Sequence, residues 1–221
     1  MQPKTKQSQM DAGRAFSLLK KYRIPSSEFI IAKKAEAAAK AAEKLGFPVA
    51  LKVVSEKILH KSDIGCVKTG ISSAGQAAKA FDEIMKNAKT KAKVRPEGIL
   101  IQKMESGTEI IIGLKKDPQF GPVVLLGLGG IFVEVMKDVS LRIAPLEKTG
   151  CLEMIEELKG SAILKGARGK KPVNIDSIVN ILMAVSSIGM KNKNIAEMDL
   201  NPVIVNESSA KVVDARIIVE K

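Results

Sequence analysis

AEMDLNPVIVNESSAKVVDARIIVE, from Ala196 to Glu220, reads as two β-branched runs joined by a short polar stretch, Asn206–Ser209. Runs of this kind around a loop of that length form a hairpin. If Val205 faces Ala210, the register sets Asn201 opposite Asp214 and Asp199 opposite Arg216. The side-chain period of two then puts all four on one face, with cross-strand Cβ atoms about 5 Å apart. An amide oxygen and carboxylates meeting there suit a hard cation. Magnesium takes one or two carboxylates and fills its shell with water and phosphate oxygens. The same spacing also suits a plain surface ladder in which Asp199 pairs with Arg216, worth under about 1 kcal/mol if exposed. A slip of one residue would put Asn201 and Asp214 on opposite faces.

Working outward from the hairpin, the chain alternates between helix and strand patterns. DAGRAFSLLKKYRIP carries Ala15, Leu18, Leu19 and Tyr22 at helical spacing and stops before Pro25. KKAEAAAKAAEKLGF is an alanine-rich helix ended by Gly46, and FPVALKVVS follows as a strand. SSAGQAAKAFDEIMKNAK is an amphipathic helix with Ala77, Phe81, Ile84 and Met85 inward, running into a basic connector from Lys86 to Arg95. GILIQKM, TEIIIGLKKD, GPVVLLGL and IFVEVM are short strands, with the apolar run Ile110–Ile112 suited to cover on both faces. LEKTGCLEMIEELKG and VNIDSIVNILMAVSSIGM are helices, the second with Ile175, Ile178, Ile181, Leu182 and Val185 on one stripe. This is an α+β chain, divided at the connector into lobes 1–97 and 98–221.

Composition narrows the function. A chain of 221 residues, 45% hydrophobic and 27% charged, buries a sizeable core without staples. Cys66 and Cys151 lie far apart with no metal-binding spacing, which fits a reducing, cytoplasmic setting. MQPKTKQSQMD lacks the apolar core of a signal peptide, and no apolar run reaches the ~20 residues of a membrane span. The net charge of +12 points to a polyanionic partner or simply to a lysine-rich surface. Six Phe, one Tyr and no Trp offer few platforms for stacking bases, so nucleic acid is the weaker choice.

Several residues could serve a phosphate. Lys52 sits inside the apolar run PVALKVV, where its ammonium reaches a phosphate or guards a strand edge. GLGG at Gly127–Gly130 either presents amides to phosphate or turns the chain between strands. IGCVKTG, Ile64–Gly70, is a second candidate loop. Just before it comes His60, the only histidine, which no local triad explains.

In this order, YRIPSSEF, GFPVALKVVSEKILHKSDIGCVKTGI, ILIQKM, TEIIIGLKKDPQFGPVVLLGLGGIFVEVMKDVSLRIAPL, AEMDLNPVIV and VVDARI resemble the ATP-grasp β chain of ADP-forming acetyl-CoA (acyl-CoA) synthetases. These enzymes are relatives of succinyl-CoA synthetase. HKSDIG, DPQFGPV with GLGGIFVE, and DLNP are each specific. The resemblance implies an ATP-grasp fold, in which two α+β lobes clamp ATP or ADP. It implies Lys52 on the phosphates, Gln102, Lys103 and Met104 as the hinge holding adenine, and Glu109 near the ribose and phosphates. Gly65 and Arg142 join these nucleotide contacts. Asn201 and Asp214 become Mg²⁺ ligands, with Asp199 as a ligand or close neighbour. His60 becomes a phosphoryl carrier. Imidazole suits that role, being a nucleophile available near neutral pH, and Lys61 and Lys68 could offset the added charge.

The implied activity is that of an acid–thiol ligase, the β subunit of an acetate–CoA ligase (ADP-forming). Its α subunit would carry the CoA-binding and phosphohistidine portions in an α2β2 assembly without membrane attachment. Two other functions fit part of the pattern: an ATP-grasp carboxylate ligase with no histidine carrier, and a nucleotide-sensing module without turnover. One position departs from the resemblance, because Cys66 stands where a second glycine is usual. A backbone needing positive φ there would be strained.

Overall fold

The computed structural model describes residues 7–55, 58, 61–130, 137–169 and 171–220. His60 and the expected strand IFVEVM lie outside the described residues. The chain forms two compact units, Ser27–Glu105 and a larger one made of Met1–Ser26 with Ser106–Lys221. It therefore passes between units twice, after Ser26 and after Glu105, rather than once at 97/98. The physical reason is strand pairing. The run beginning at Gly98 hydrogen-bonds to strands that precede the connector, which carries it into the smaller unit.

The larger unit opens with β1 (Gln7–Gln9) and α1 (Ala12–Lys21), whose N-terminus is capped by the Asp11 carboxylate on the Arg14 N–H at 2.9 Å. The smaller unit contains β2 (Phe29–Ala32), α2 (Ala35–Leu45), β3 (Val49–Val54), β4 (Val67–Ile71), α3 (Ala74–Thr90) and β5 (Gly98–Lys103). Its strands form an antiparallel sheet in the order β2-β5-β3-β4. Ala38, Ala41, Ala42 and Leu45 of α2 and Ala77, Phe81, Ile84 and Ala88 of α3 bury themselves on Leu51, Val53, Ile99 and Ile101. Each of the leucine, isoleucine, valine and phenylalanine side chains contributes about 1.5–3 kcal/mol on leaving water, and each alanine methyl less. Of the residues expected inward on α3, Met85 is only half-buried.

The chain returns to the larger unit with β6 (Thr108–Asp117), β7 (Gly121–Leu128), β8 (Val139–Ile143), α4 (Lys148–Glu157), the short α5 (Ser161–Leu164) and α6 (Ile175–Lys191). The final strands are β9 (Ile195–Val205), β10 (Ala210–Val212) and β11 (Ala215–Glu220). Among the described residues the sheet runs β1-β11-β9-β6-β7-β8, with β10 also on β9. The stripe Ile178, Ile181, Leu182 and Val185 of α6 is buried, with Ile110, Ile112 and Leu114 of β6 and Val124 and Leu126 of β7 supplying the sheet's side of the core. Ile111 is only half-buried, so β6 is covered fully on one face rather than both. Among the described residues no helix is long and apolar enough to cross a membrane.

Four segments read as loops or left unassigned are strands: the short β1 and β2, and β4 and β8. β4 takes up Lys68 and Thr69 of the expected IGCVKTG loop, pairing Lys68 with Leu51 and Val67 with Lys52. Gly70 and a register irregularity beside it break the alternation that marks a strand. Among the described residues β8 ends the sheet, and its Val139, Leu141 and Ile143 stay exposed, so the apolar contrast of a half-buried strand is missing.

Candidate active-site elements

The closing hairpin has the register its sequence requires. Ala210 pairs with Val205, Ala215 with Leu200, and Arg216 with Asp199. Between them the Asn201 N–H donates to the Asp214 carbonyl at 3.1 Å, and the Val213 N–H to the Pro202 carbonyl at 3.0 Å. The loop closes on Asn206, whose side-chain oxygen accepts from the Ser208 and Ser209 amides, each at 3.0 Å.

On its other side β9 bulges. Ile112 pairs with Leu200 but Ile110 with Val203, so Asn201 and Pro202 together oppose Ile111. Such bulges re-aim side chains. Here Met198 and Leu200 are buried while Glu197 and Asp199 are half-buried and Asn201 exposed. Asp214 lies just before β11, its carbonyl bonded to the Asn201 N–H and its carboxylate close enough to Asp199 to push that carboxyl up.

Acidic groups converge at this corner. Burial pushes the Asp199 carboxyl above its ordinary range, Glu197 and Asp214 push it further, and Arg216 opposes them. Arg216 is not the simple partner the ladder alternative needs, since its ion pair is with Glu197 at 3.3 Å. Among the described residues no three His, Cys, Asp or Glu side chains gather into a self-sufficient metal site. Two carboxylates and an amide oxygen fit a hard divalent ion that completes its shell with water and substrate phosphates.

Glu109 is exposed on β6, and its carbonyl accepts from the Gly129 N–H at 2.7 Å. A Cβ on Gly129 would come within 2.6 Å of the Glu109 Cβ, so only glycine lets β7 end against it. One amide of GLGG is thereby committed to the chain itself. Arg142 stands elsewhere. It pairs with Val124, whose side chain is buried beneath the helices, and its guanidinium binds Glu157 of α4 through both terminal nitrogens, with Glu153 at 3.8 Å. Those hydrogen bonds, with one from Ser140, hold the Glu157 carboxyl down at about 2. The structure thus gathers Asn201, Asp214 and Asp199 on one face of the larger unit's sheet and puts Arg142 on the other.

In the smaller unit, Lys52 is on β3, an interior strand between β4 and β5, which removes the edge-guarding alternative. It pairs with Leu100, while Ala50 pairs with Gln102, so Lys52 and Gln102 share the face turned away from α2 and α3. Gln102 is buried; Lys103 and Met104 are exposed but anchored. The Lys103 N–H donates to Glu28 O at 2.9 Å and the Met104 N–H to Pro48 O at 3.1 Å, while Ser27 Oγ donates to Lys103 O at 2.6 Å.

The residues after His60 form a knotted turn. The Cys66 N–H donates to Lys61 O at 2.8 Å and the Gly65 N–H to Ser62 O at 2.9 Å. Gly65 has φ +68, whereas Cys66 is not among the described residues with positive φ. The left-handed position is thus filled by the glycine and the departure at Cys66 costs no backbone strain. The Cys66 side chain is fully buried in the α3 core, and burial pushes its thiol up, away from the reactive thiolate. Lys68 is paired with Glu83 at 2.9 Å, both side chains partly exposed.

Reading the sequence alone missed Asn87 and Asp138. Asn87 Nδ2 donates to Gly65 O at 2.9 Å. The buried Asp138 accepts from the Lys159 amide at 2.7 Å and the Gly160 amide at 2.9 Å, tying β8 to the turn after α4. Asn87 could have been suspected, because asparagine is a poor interior helix residue without a local task.

Comparison with known proteins gives these elements a context. The ATP-grasp domain family matches residues 2–219. The β subunit of Pyrococcus furiosus acetate–CoA ligase [ADP-forming] I is 47% identical over 209 residues, covering 92% of this chain and 89% of that one. The acetyl-coenzyme A synthetase 1 of Ca. Korarchaeum cryptofilum, solved with coenzyme A, Ca-AMPCP and HgCl+, superposes with TM-score 0.92 at 45% identity, covering 96% of this chain and 94% of that one. The same enzyme solved with coenzyme A and Mg-AMPPCP has its phosphohistidine segment pointing towards the nucleotide-binding site. It superposes with TM-score 0.84 at 42% identity, covering 96% and 93% of the two chains.

Proposed function

The chain belongs to the ATP-grasp domain family and, within it, to the β subunits of ADP-forming acetate–CoA ligases; on that premise we propose that it moves a phosphoryl group between His60 and the nucleotide. The complete reaction is acyl-CoA + ADP + phosphate ⇌ carboxylate + CoA + ATP. What carries the reading is the match along nearly the whole of both chains, at 92% and 89% coverage.

Each unit supplies its own groups. In the smaller, Lys52 neutralises phosphate charge from within the sheet, Gly65 shapes the turn behind the carrier, and the strand end at Gln102, Lys103 and Met104 receives adenine. The Lys103 and Met104 amides are already committed, so carbonyl oxygens, which accept more than one hydrogen bond, take the adenine amino group. In the larger unit, Glu109 lies by the ribose and phosphates, and Asn201 and Asp214, with Asp199 beside them, would hold Mg²⁺. The ion, when bound, screens phosphate charge during transfer. Arg142 we assign to fastening β8 on α4 rather than to the nucleotide. Catalysis in this chain is positioning and charge neutralisation.

His60 takes the phosphoryl group at a ring nitrogen. In the direction of ATP synthesis the P–N bond breaks as an ADP oxygen bonds to phosphorus. The partner is an α subunit carrying the CoA site and its own phosphohistidine, in an α2β2 complex in the cytoplasm. Mixed with that subunit, acetyl-CoA, ADP and phosphate, the chain should form ATP and its His60→Asn variant should form none. An active His60→Asn variant would favour a ligase that makes acyl phosphate directly, and a chain that binds ATP but never turns over would favour a sensor.

A further inference from the structure

We propose that Asn87 is a positioning residue for phosphoryl transfer, holding the turn from which His60 leaves; this rests on His60 being the carrier. Lys61 follows His60 by one peptide bond, so whatever fixes Lys61 limits where the imidazole can go. Three backbone hydrogen bonds tie that turn together: Cys66 N–H to Lys61 O at 2.8 Å, Gly65 N–H to Ser62 O at 2.9 Å, and Val53 N–H to Cys66 O at 3.0 Å. The last of these binds the turn to β3, the strand that carries Lys52.

Helix α3 fastens the same turn at two points one helical turn apart. At Ile84 the carbonyl receives the buried Cys66 thiol at 3.9 Å, a weak contact that acts mainly by packing. At Asn87 the side-chain amide donates to Gly65 O at 2.9 Å, and Asn87 is half-buried. The fit is close: a Cβ added to Gly65 would stand 2.9 Å from Asn87 Nδ2. Gly65 leaves that carbonyl facing α3 because its φ of +68 reverses the chain there. Only a side chain with an N–H donor on a short stem closes the gap. Asparagine fits; aspartate has the same shape but sets a carboxylate oxygen against a carbonyl oxygen. The geometry therefore separates shape from hydrogen bonding.

The transfer being positioned runs from ATP in the test direction. The imidazole nitrogen attacks the γ-phosphorus, the bond from phosphorus to the bridging oxygen breaks, ADP leaves with that electron pair, and the ring proton passes to solvent. Displacement of a reacting group by an ångström can cost about a hundredfold. Loosening the turn should slow this step without changing how ATP is held.

The experiment compares wild type, Asn87→Asp and Asn87→Ala as full chains with Mg²⁺ and γ-labelled ATP. It measures the rate of acid-labile, alkali-stable labelling at saturating ATP, the Kd for ATP, and amide hydrogen exchange. Both variants should label about ten- to a hundredfold more slowly, keep the wild-type Kd within about twofold, and exchange faster at Lys61–Cys66 while β3 and β5 stay protected. Wild-type rates in both variants overturn the proposal, whether or not exchange rises. A loss of rate matched by loss of ATP affinity and of protection throughout β3 and β5 also overturns it, because that is a general structural defect. If wild type itself takes no label, the carrier reading falls and takes this proposal with it.

Discussion

At Lys61–Cys66 the backbone bonds to itself, a glycine takes the left-handed position, and a buried thiol and an asparagine lock the turn to α3. At Asn201–Asp214 the β9 strand bulges, and its polar side chains stand half-buried or exposed, with Glu197 and Asp214 raising the Asp199 carboxyl and Arg216 opposing them. The first corner is held by packing and hydrogen bonds, and its one lysine, Lys61, and one carboxylate, Asp63, are opposite in charge. The second is held by its neighbouring strands and brings two carboxylates and an amide to one corner. A carrier that must present one atom repeatedly needs the former, and a cation that arrives with its substrate suits the latter.

The sharpest break in this contrast is Asp214→Ala. Mg²⁺-dependent nucleotide turnover should fall by roughly a hundredfold or more, the scale of losing one charge-stabilising group. Circular dichroism and thermal unfolding should stay close to wild type, because the register around Asp214 is carried by backbone bonds. Unchanged turnover would remove the metal from this corner.

Gly65→Ala tests the other side. A methyl at φ +68, within 2.9 Å of Asn87 Nδ2, should cost about 1–3 kcal/mol of stability, read in denaturant unfolding. A neutral result would mean that the turn is not locked as described.

The smallest effect concerns the far face of the larger sheet. Arg142 holds the Glu157 carboxyl at about 2 against its ordinary 4.5. A depressed carboxylate contributes stability fully above its unfolded value and loses it as pH falls through the folded one. The Tm difference between wild type and Glu157→Gln should hold steady above a pH of about 4.5 and close as pH approaches about 2. It should shrink in high salt, because both side chains are solvent-accessible. A difference that grows on acidification would contradict the ion pair.

Most of the larger unit could be read before any coordinates. The hairpin register follows from loop length and alternation, and it correctly sets Asn201 against Asp214 and Asp199 against Arg216. The stripe on α6 is visible because long amphipathic helices repeat one signal many times. What escaped was short or non-periodic. β4 is interrupted by Gly70, β8 shows its apolar residues to solvent, and β2 spans only Phe29–Ala32. Pairing across the basic connector also escaped, since strand partners distant in sequence leave no local pattern. At the candidate site, Lys52 and Gln102 come together because β3 and β5 are neighbours. The Arg142 bond to Glu157 was not legible, because residue type does not say which face of a sheet a side chain occupies. The Cys66 puzzle dissolves in the same way: Gly65 takes the left-handed turn, and the next residue has only to fill a pocket in the core.

The most direct measurement is where phosphate goes. Incubated with Mg²⁺ and γ-labelled ATP, the chain should acquire an acid-labile, alkali-stable phosphate that maps to the peptide containing His60 and is absent from His60→Asn. An unlabelled His60 peptide in a chain that still turns over nucleotide with its partner subunit would contradict the account.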